Sequence, residues 1–286
     1  MSGDGRRALV PCRRHGFANL THWFLLALLW LTLSVQAAEN PARPLRILPV
    51  GDSITRGSYL ARYEDGPFKG EVMGLPNPEG GGWRKLLQDK LRAAGQAYDF
   101  VGALRYHSFG KTGQVDAHFD PDHHGLAGFS NQAILSGGKV PTPRDVLASL
   151  GVQEVVVPGI VPVLKQHAPD VVLLLAGANG FNARARDELI RTIHASSRAH
   201  LFVGTLLPQR APRAGAPQVA AYNASLPAVV AAQTAAGHRI TLVDLHAAVT
   251  PDDLLPDGVH PNRAGMAKMA DAWFAALQAA GLVSPK

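Results

Sequence analysis

Five short runs of Val, Leu and Ile, with few polar interruptions, constrain the fold of this chain more than any other feature. A strand of a parallel sheet that is covered on both faces needs this pattern, since neither of its sides meets water. Segments with helical periodicity separate the runs, and this alternation predicts a three-layer α/β/α sandwich with a mostly parallel, five-stranded sheet. The predicted strands cover residues 45–50, 98–102, 170–176, 200–205 and 239–244, and the predicted helices cover 83–94, 159–167, 183–196, 219–236 and 263–280.

The N-terminal segment has the three parts of a secretory signal peptide: a basic start, an apolar run and small residues at the exit. The basic residues are Arg6, Arg7, Arg13 and Arg14. The apolar run over 23–35 is shorter than the roughly 20 residues that span a bilayer as a helix, although an uncleaved anchor is the alternative. We expect a signal peptide over 1–37, a short lead-in over 38–44 and one domain over 45–286, in a secreted or periplasmic protein.

Cleavage would change both the charge and the cysteine content of the chain. The 286 residues carry a formal charge of +6, and removal of residues 1–37 takes away four of the 28 basic and one of the 22 acidic residues, which leaves +3. No dense Lys/Arg stripe remains, so nucleic-acid binding loses its main support. The only cysteine, Cys12, also lies in the removed segment. The remaining domain therefore has neither a disulfide nor a thiol nucleophile.

A serine stands directly after the first predicted strand, in the sequence Gly51-Asp52-Ser53. In open α/β sheets, ligands gather outside the carboxyl ends of the strands. The loop with the sequence GANG, residues 177–180, follows the third predicted strand and is expected at the same edge. The alternative for both loops is ordinary turn chemistry, because small polar residues are also typical of strand exits.

A serine nucleophile needs a histidine to accept its proton and an acid to orient that histidine. Among twelve histidines, His260 stands out because Asp257 is three residues before it, in a loop rich in Pro and Gly that precedes the last predicted helix. That spacing allows one turn of chain to present both side chains to the same cleft. The alternative is an aspartate turn beside a histidine that faces solvent.

Acyl transfer also needs hydrogen-bond donors for the oxyanion. The side-chain amide of Asn179 is one candidate, with a role as a turn residue as the alternative. Gly128, in the sequence HHGLAGFS, is another, because a residue without a side chain lets its N–H approach a ligand closely. Gly128 is one of 29 glycines, so a plain turn is again the alternative.

The four segments occur in an order that resembles the SGNH hydrolase superfamily, also called GDSL-type esterases and lipases. The sequences GDSITRG, DFVG, YNASL, LVDL and DGVHPN are most similar to secreted carbohydrate esterases of the acetylxylan-esterase type. The resemblance implies a flavodoxin-like three-layer fold, with Ser53 as nucleophile, His260 as general base and Asp257 as its orienting acid. It also implies that the backbone N–H groups of Ser53 and Gly128 and the side chain of Asn179 form the oxyanion hole.

One position departs from the family pattern. Members commonly carry Asp directly after the asparagine of the third segment, whereas this chain has Gly180. Because that Asp is not a catalytic residue of the family, we expect activity to survive, with the loop that holds Asn179 less well fixed.

Several alternative functions stay open at this point. The segment 115–125 is rich in carboxylates and imidazoles that can bind zinc, which would fit a metal-dependent hydrolase; these residues are Asp116, His118, Asp120, Asp122, His123 and His124. Two further alternatives are a carbohydrate-binding protein without catalysis and an esterase or lipase that acts on lipid or other small esters. We expect no metal and no other cofactor, and a small-molecule or polysaccharide ester as the partner, with no nucleic acid and no membrane after signal removal.

Overall fold

A seven-stranded sheet forms the centre of the domain in the computed structural model, which describes residues 43–62, 72–76, 81–105, 118–139, 156–213 and 215–284. In chain order, the strands are β1 (Leu45–Gly51), β2 (Ser58–Arg62), β3 (Val72–Pro76), β4 (Tyr98–Phe100), β5 (Leu104–Arg105), β6 (Asp122–Gly125), β7 (Gly137–Lys139), β8 (Val156–Pro158), β9 (Val171–Leu175), β10 (His200–Gly204) and β11 (Ile240–Val243). The expected signal peptide and residues 38–42 of the lead-in lie outside the described residues.

The order of the sheet is β11-β10-β9-β1-β6-β5. Strand β4 pairs with the first half of β1, and β6 pairs with the last two residues of β1. All of these pairings are parallel except that of β5 with β6. The five predicted strands are thus confirmed, but the sheet has two strands more than expected. Both are short, and the sequence of β6, Asp-His-His-Gly, has no apolar run that would predict a strand.

The helices are α1 (Ser53–Arg56), α2 (Trp83–Ala93), α3 (Asn131–Ser136), α4 (Ile160–His167), α5 (Ala183–Ser196), α6 (Ala216–Ala224), α7 (Leu226–Ala235), α8 (Leu245–Ala248) and α9 (Arg263–Ala279), with a 3₁₀ turn at Pro251–Asp253. The single helix predicted over 219–236 is wrong, since α6 and α7 replace it. Pro227 lies in the first turn of α7. Proline has no N–H to donate to the preceding turn and its ring clashes with it, so one continuous helix cannot form there.

Successive residues of the central strands point to opposite faces, and each face has its own core. Ile47 of β1 packs with residues of α2 and α9, whereas Leu48 and Val50 pack with residues of α3, α4 and α5. The expected three-layer α/β/α arrangement is confirmed. No helix within the described ranges is long and apolar enough to cross a membrane.

The strand order places a switch point at the middle of the sheet. After β1 the chain continues toward β4 and β6, and after β9 it continues toward β10 on the other side. The loops at the carboxyl ends of two such neighbouring strands leave in opposite directions, which opens a crevice between them. Ser53 follows β1 and Asn179 follows β9, so both lie beside this crevice.

Candidate active site

Ser53 is the first residue of α1, a helix of four residues that begins where β1 ends. The side chain of Asp52 caps this helix by accepting a hydrogen bond from the N–H of Ile54 over 3.0 Å. The other end closes on Gly57, whose N–H donates to the carbonyl groups of Ser53 and Ile54. The serine is therefore held at a helix N-terminus, where free backbone N–H groups favour negative charge.

His260 joins Ser53 to Asp257. The Oγ atom of Ser53 lies 2.7 Å from Nε2 of His260, and Nδ1 of the same ring lies 2.7 Å from Oδ2 of Asp257. An ionised carboxylate only accepts hydrogen bonds, so in a neutral imidazole the proton is on Nδ1 and Nε2 accepts from the serine hydroxyl. The structure thus brings together the three residues predicted from two distant segments of the sequence.

The loop that carries Asp257 and His260 is closed by its own backbone. The N–H of Leu255 donates to the carbonyl of His260 over 2.7 Å, and the N–H of Gly258 donates to the carbonyl of Leu255. The Oδ1 atom of Asp257 accepts from the N–H groups of Val259 and His260, both over 3.0 Å. These bonds fix the carboxylate relative to the imidazole before any substrate arrives.

Two carboxylates near the serine, those of Asp257 and Asp52, have pKa values shifted in opposite directions. Burial raises the pKa of Asp257, but its hydrogen bonds with His260 and with two backbone N–H groups outweigh this and lower the pKa to about 2. Asp52 is 1% exposed, and its Oδ2 atom has no hydrogen-bond partner among the described residues. Burial raises the pKa of Asp52 to about 6, although the N–H of Ile54 and the imidazole of His260 act in the other direction. Sequence reasoning treated Asp52 as a motif residue only and missed this burial.

The two other predicted oxyanion donors lie on segments that are bonded to each other. Gly128 occupies a turn that the N–H of Phe129 closes on the carbonyl of Leu126, and its φ is 78°. The side-chain Nδ2 of Asn179 donates to the carbonyl of Phe129 over 3.1 Å. An amide nitrogen carries two hydrogens, so this bond orients Asn179 and leaves the second hydrogen for a ligand.

The loop of Asn179 is held despite the glycine that follows it. The N–H of Phe181 donates to the carbonyl of Gly177 over 3.0 Å and closes the turn. Gly180 has a φ of 105°, and a Cβ atom placed there would have no neighbour within 4 Å. The backbone turn and the bond from Asn179 to Phe129 hold this loop without an aspartate, and the looser loop expected from the sequence stays a prediction.

The segment considered for zinc takes a structural role where the structure describes it, while Asp116 lies outside the described residues. His123 and His124 are fully buried in β6, and the N–H of Gly125 donates to Nδ1 of His123. Burial lowers the pKa of His124 to about 4, which keeps that ring neutral. Across the part of the chain that the structure describes, no group of three His, Cys, Asp or Glu residues is arranged to hold a metal ion.

Comparison with known proteins gives a consistent result. Residues 50–268 match the sequence profile of the GDSL-like lipase/acylhydrolase family. A multidomain esterase of Ruminococcus flavefaciens is 25% identical over 264 residues, which is 87% of this chain and 30% of that protein. The chain therefore spans 30% of the length of this curated relative.

Two solved structures resemble the fold along nearly their whole length. A family 3 carbohydrate esterase of Clostridium thermocellum is 26% identical with a TM-score of 0.56, and the match covers 83% of this chain and 99% of that one. A family 3 carbohydrate esterase of Talaromyces cellulolyticus is 22% identical with a TM-score of 0.57, over 82% and 97% of the two chains. The second of these supports the fold alone.

Proposed function

The chain belongs to the GDSL-like lipase/acylhydrolase family, and from this premise we propose that it is a carboxylic ester hydrolase, namely a secreted serine esterase that removes short acyl groups, above all acetyl, from carbohydrate. The observation that carries the proposal is the pair of 2.7 Å contacts that link Ser53 to His260 and His260 to Asp257. It is the arrangement that serine hydrolysis requires.

In the proposed mechanism, Oγ of Ser53 attacks the ester carbonyl carbon while its proton passes to Nε2 of His260. Asp257 stabilises the imidazolium that forms, and its low pKa keeps it ionised throughout. The tetrahedral intermediate collapses, and the alcohol leaves with the proton from Nε2. A water molecule then gives a proton to Nε2 of His260 as it attacks the acyl carbon. The bond from this carbon to Oγ breaks, His260 returns the proton to Oγ of Ser53, and the carboxylic acid leaves.

Negative charge develops on the former carbonyl oxygen during each attack. We assign its stabilisation to the N–H groups of Ser53 and Gly128 and to the amide of Asn179. The N-terminus of α1 supports the first of these donors. The hydrogen bond from Asn179 to the carbonyl of Phe129 supports the other two, because it links the two loops on which they lie.

The substrate class rests on the relatives. The C. thermocellum carbohydrate esterase shares 26% identity over 99% of its length, and the R. flavefaciens relative is an esterase. The export part of the proposal rests on the signal-peptide pattern of residues 1–37. Short acyl groups on carbohydrate and longer acyl groups on lipid are distinguished by the assay below.

The test compares the wild type with Ser53→Ala on p-nitrophenyl acetate, butyrate and octanoate and on acetylated xylan. We expect Ser53→Ala to fold and to lose turnover, and the wild type to prefer acetate and to deacetylate xylan. Ser196→Ala, at the far end of α5, is the matched control and should keep full activity. Substantial turnover by Ser53→Ala would refute the serine mechanism, and a preference for octanoate would favour a lipid ester as substrate.

A further inference from the structure

Arg84, the second residue of α2, is a cation that the mechanism above does not use, although it lies directly behind α1. The side chain is 0% exposed. Its Nε atom donates to the carbonyl of Thr55 over 2.9 Å, Nη2 donates to the carbonyl of Arg56 over 3.2 Å, and Nη1 donates to the carbonyl of Pro121 over 3.2 Å. All three nitrogens of the guanidinium therefore bond to backbone carbonyl groups.

Two of these carbonyl groups are those of the last two residues of α1. The last carbonyl groups of a helix have no partner within the helix, and a positive charge at that end is favourable. A helix of four residues has almost no stability of its own, because nucleation is unfavourable and few bonds follow it. Asp52 holds the start of α1 and Arg84 holds its end, with Ser53 as the first residue between them.

The third carbonyl group connects α1 to the segment that leads to Gly128. Pro121 immediately precedes β6, and β6 continues into the turn of residues 126–129. The end of β6 also packs tightly on α1, since a Cβ atom at Gly125 would lie 2.5 Å from the backbone nitrogen of Arg56. One guanidinium thus bonds to both segments that carry the backbone N–H groups assigned to the oxyanion hole.

The position of Arg84 is costly for a charged group. Burial lowers the pKa of its guanidinium to about 9, while Asp120 and Asp122 act to raise it, so the group is still charged at neutral pH. A buried cation is tolerated when it is fully hydrogen-bonded, and hydrogen bonds from a charged donor are stronger than neutral ones. The ring of Phe119, whose centroid lies 5.6 Å from the guanidinium carbon, adds a further favourable contact.

We propose that Arg84 is a positioning residue for catalysis, which sets Ser53 and the turn of Gly128 at the spacing that attack on the ester requires; this rests on the proposed serine mechanism. The effect differs from that of an ordinary buried residue. A displaced nucleophile lowers the rate of the chemical step, and a misplacement of about 1 Å costs about 10²-fold. Loss of general packing lowers the melting temperature and leaves kcat of the folded fraction unchanged.

The experiment compares Arg84→Lys and Arg84→Met with the wild type, well below the lowest melting temperature. We expect kcat on p-nitrophenyl acetate to fall about 10²-fold in Arg84→Met with KM nearly unchanged, and the rate at which a serine-directed phosphonate inactivates the enzyme to fall in parallel. Both rates should be higher in Arg84→Lys than in Arg84→Met and lower than in the wild type. Lysine keeps the charge but cannot bond to all three carbonyl groups at once.

The control is Leu164→Ala, a buried residue of α4 that packs on the opposite face of the sheet. It should lower the melting temperature without lowering kcat. If the Arg84 variants lose only stability, as Leu164→Ala does, the positioning role is refuted, whereas turnover by Ser53→Ala would refute the serine mechanism itself. If Arg84→Met does not fold, Arg84→Lys decides, and Phe119→Leu, which removes the ring beside the guanidinium, provides a milder variant with the same expected direction.

Discussion

Two carboxylates near the candidate nucleophile, Asp52 and Asp257, have pKa values shifted in opposite directions, although each accepts backbone hydrogen bonds. Asp257 receives bonds on both oxygens, and its pKa falls to about 2. Asp52 accepts a hydrogen bond from the N–H of Ile54, its buried Oδ2 atom has no partner among the described residues, and its pKa is raised to about 6. The balance between desolvation and hydrogen bonding therefore decides the sign of each shift.

Asp52→Asn should make the protein more stable at pH 8 than the wild type, and about equally stable at pH 4. The unfolded chain releases this proton near pH 3.8 and the folded chain at about 6, so wild-type stability falls as the pH rises through that window. The difference between these values corresponds to about 3 kcal/mol, and asparagine can still accept from the N–H of Ile54. Denaturant unfolding of both proteins at pH 4 and pH 8 measures it.

Asp244→Asn is the control, because Asp244 also caps a four-residue helix, α8, where it accepts from the N–H of Ala247, but it is exposed. A change in the free energy of unfolding that both variants share reflects the replacement of a capping aspartate by asparagine and not the burial of Asp52. If Asp52→Asn has the same effect on the free energy of unfolding at pH 4 and at pH 8, then Asp52 does not carry the raised pKa assigned to it.

The substitution Asn179→Ala tests whether Asn179 donates to the oxyanion or only stabilises a turn. If Asn179 stabilises the oxyanion, kcat should fall by about 10²–10³ with little change in KM, because its interaction strengthens as negative charge develops. The N–H groups of Ser53 and Gly128 should limit the loss toward the lower figure. Steady-state kinetics and thermal melting on the same preparation measure both effects.

Asn182→Ala serves as the control for Asn179→Ala. Asn182 follows in the same loop and caps α5 by accepting from the N–H of Ala185 over 3.0 Å. Its loss should cost about 1 kcal/mol of stability, as for other helix caps, and leave kcat unchanged. An Asn179→Ala variant that behaves in the same way would remove Asn179 from the site.

At the scale of elements, short segments position the site, and each is held by backbone bonds from its neighbours. The helix α1 has four residues, and the Asn179 loop turns back on itself within Gly177–Phe181. Each segment contributes only a little apolar surface to the core, since Ile54 of α1 is buried in it and Ala178 and Phe181 of the loop pack against it. Their geometry also depends on hydrogen bonds: Arg84 donates to carbonyl groups of α1, Asn179 donates to the carbonyl of Phe129, and the N–H of Phe181 closes its own loop on Gly177.

The substitution Gly180→Ala tests whether the backbone conformation of the Asn179 loop controls the position of Asn179. The added Cβ atom would meet nothing within 4 Å, so the cost comes from the φ of 105°, which L-residues rarely adopt. We expect a loss of about 1–3 kcal/mol of stability and, since relief of the strain moves Asn179, a fall in kcat. Chemical unfolding and kinetics on p-nitrophenyl acetate measure the two effects.

Gly237→Ala is the corresponding control, because Gly237 also has a positive φ, of 83°, with no neighbour within 4 Å of a Cβ atom, and it follows α7 rather than the site. It should lose similar stability and keep its kcat. Equal kcat values in the two variants would mean that the loop conformation does not control the position of Asn179.

At the scale of the whole molecule, the sequence predicts the strands that long apolar runs determine. It does not predict the elements whose position depends on single contacts between distant residues. The strands β1, β9 and β10 are continuous and mostly buried, β11 is half-buried, and periodicity is sufficient to locate all four. Strand β6 has a polar sequence, yet it is buried between β1 and β5 with its end packed on α1, which no local pattern indicates.

The same distinction applies to the candidate site. Ser53, Asp257 and His260 were found because their residue types occur at the ends of predicted elements, where the fold brings loops together. Arg84 was missed because arginine within a helical pattern predicts an exposed side chain. Its contacts, to carbonyl groups 28 to 37 residues away in the chain, exist only once the strands are paired.

The separation of 207 residues between Ser53 and His260 also affects when the site forms during folding. The strand that precedes Ser53, β1, is made early in synthesis, whereas its partner β9 is made more than a hundred residues later, since Ile47 pairs with Val171. Contacts between such distant segments form slowly, because the intervening chain must be ordered first. Because Ser53, Asp257 and His260 come together only through such distant contacts, we expect hydrolysis to appear late when the unfolded protein is refolded.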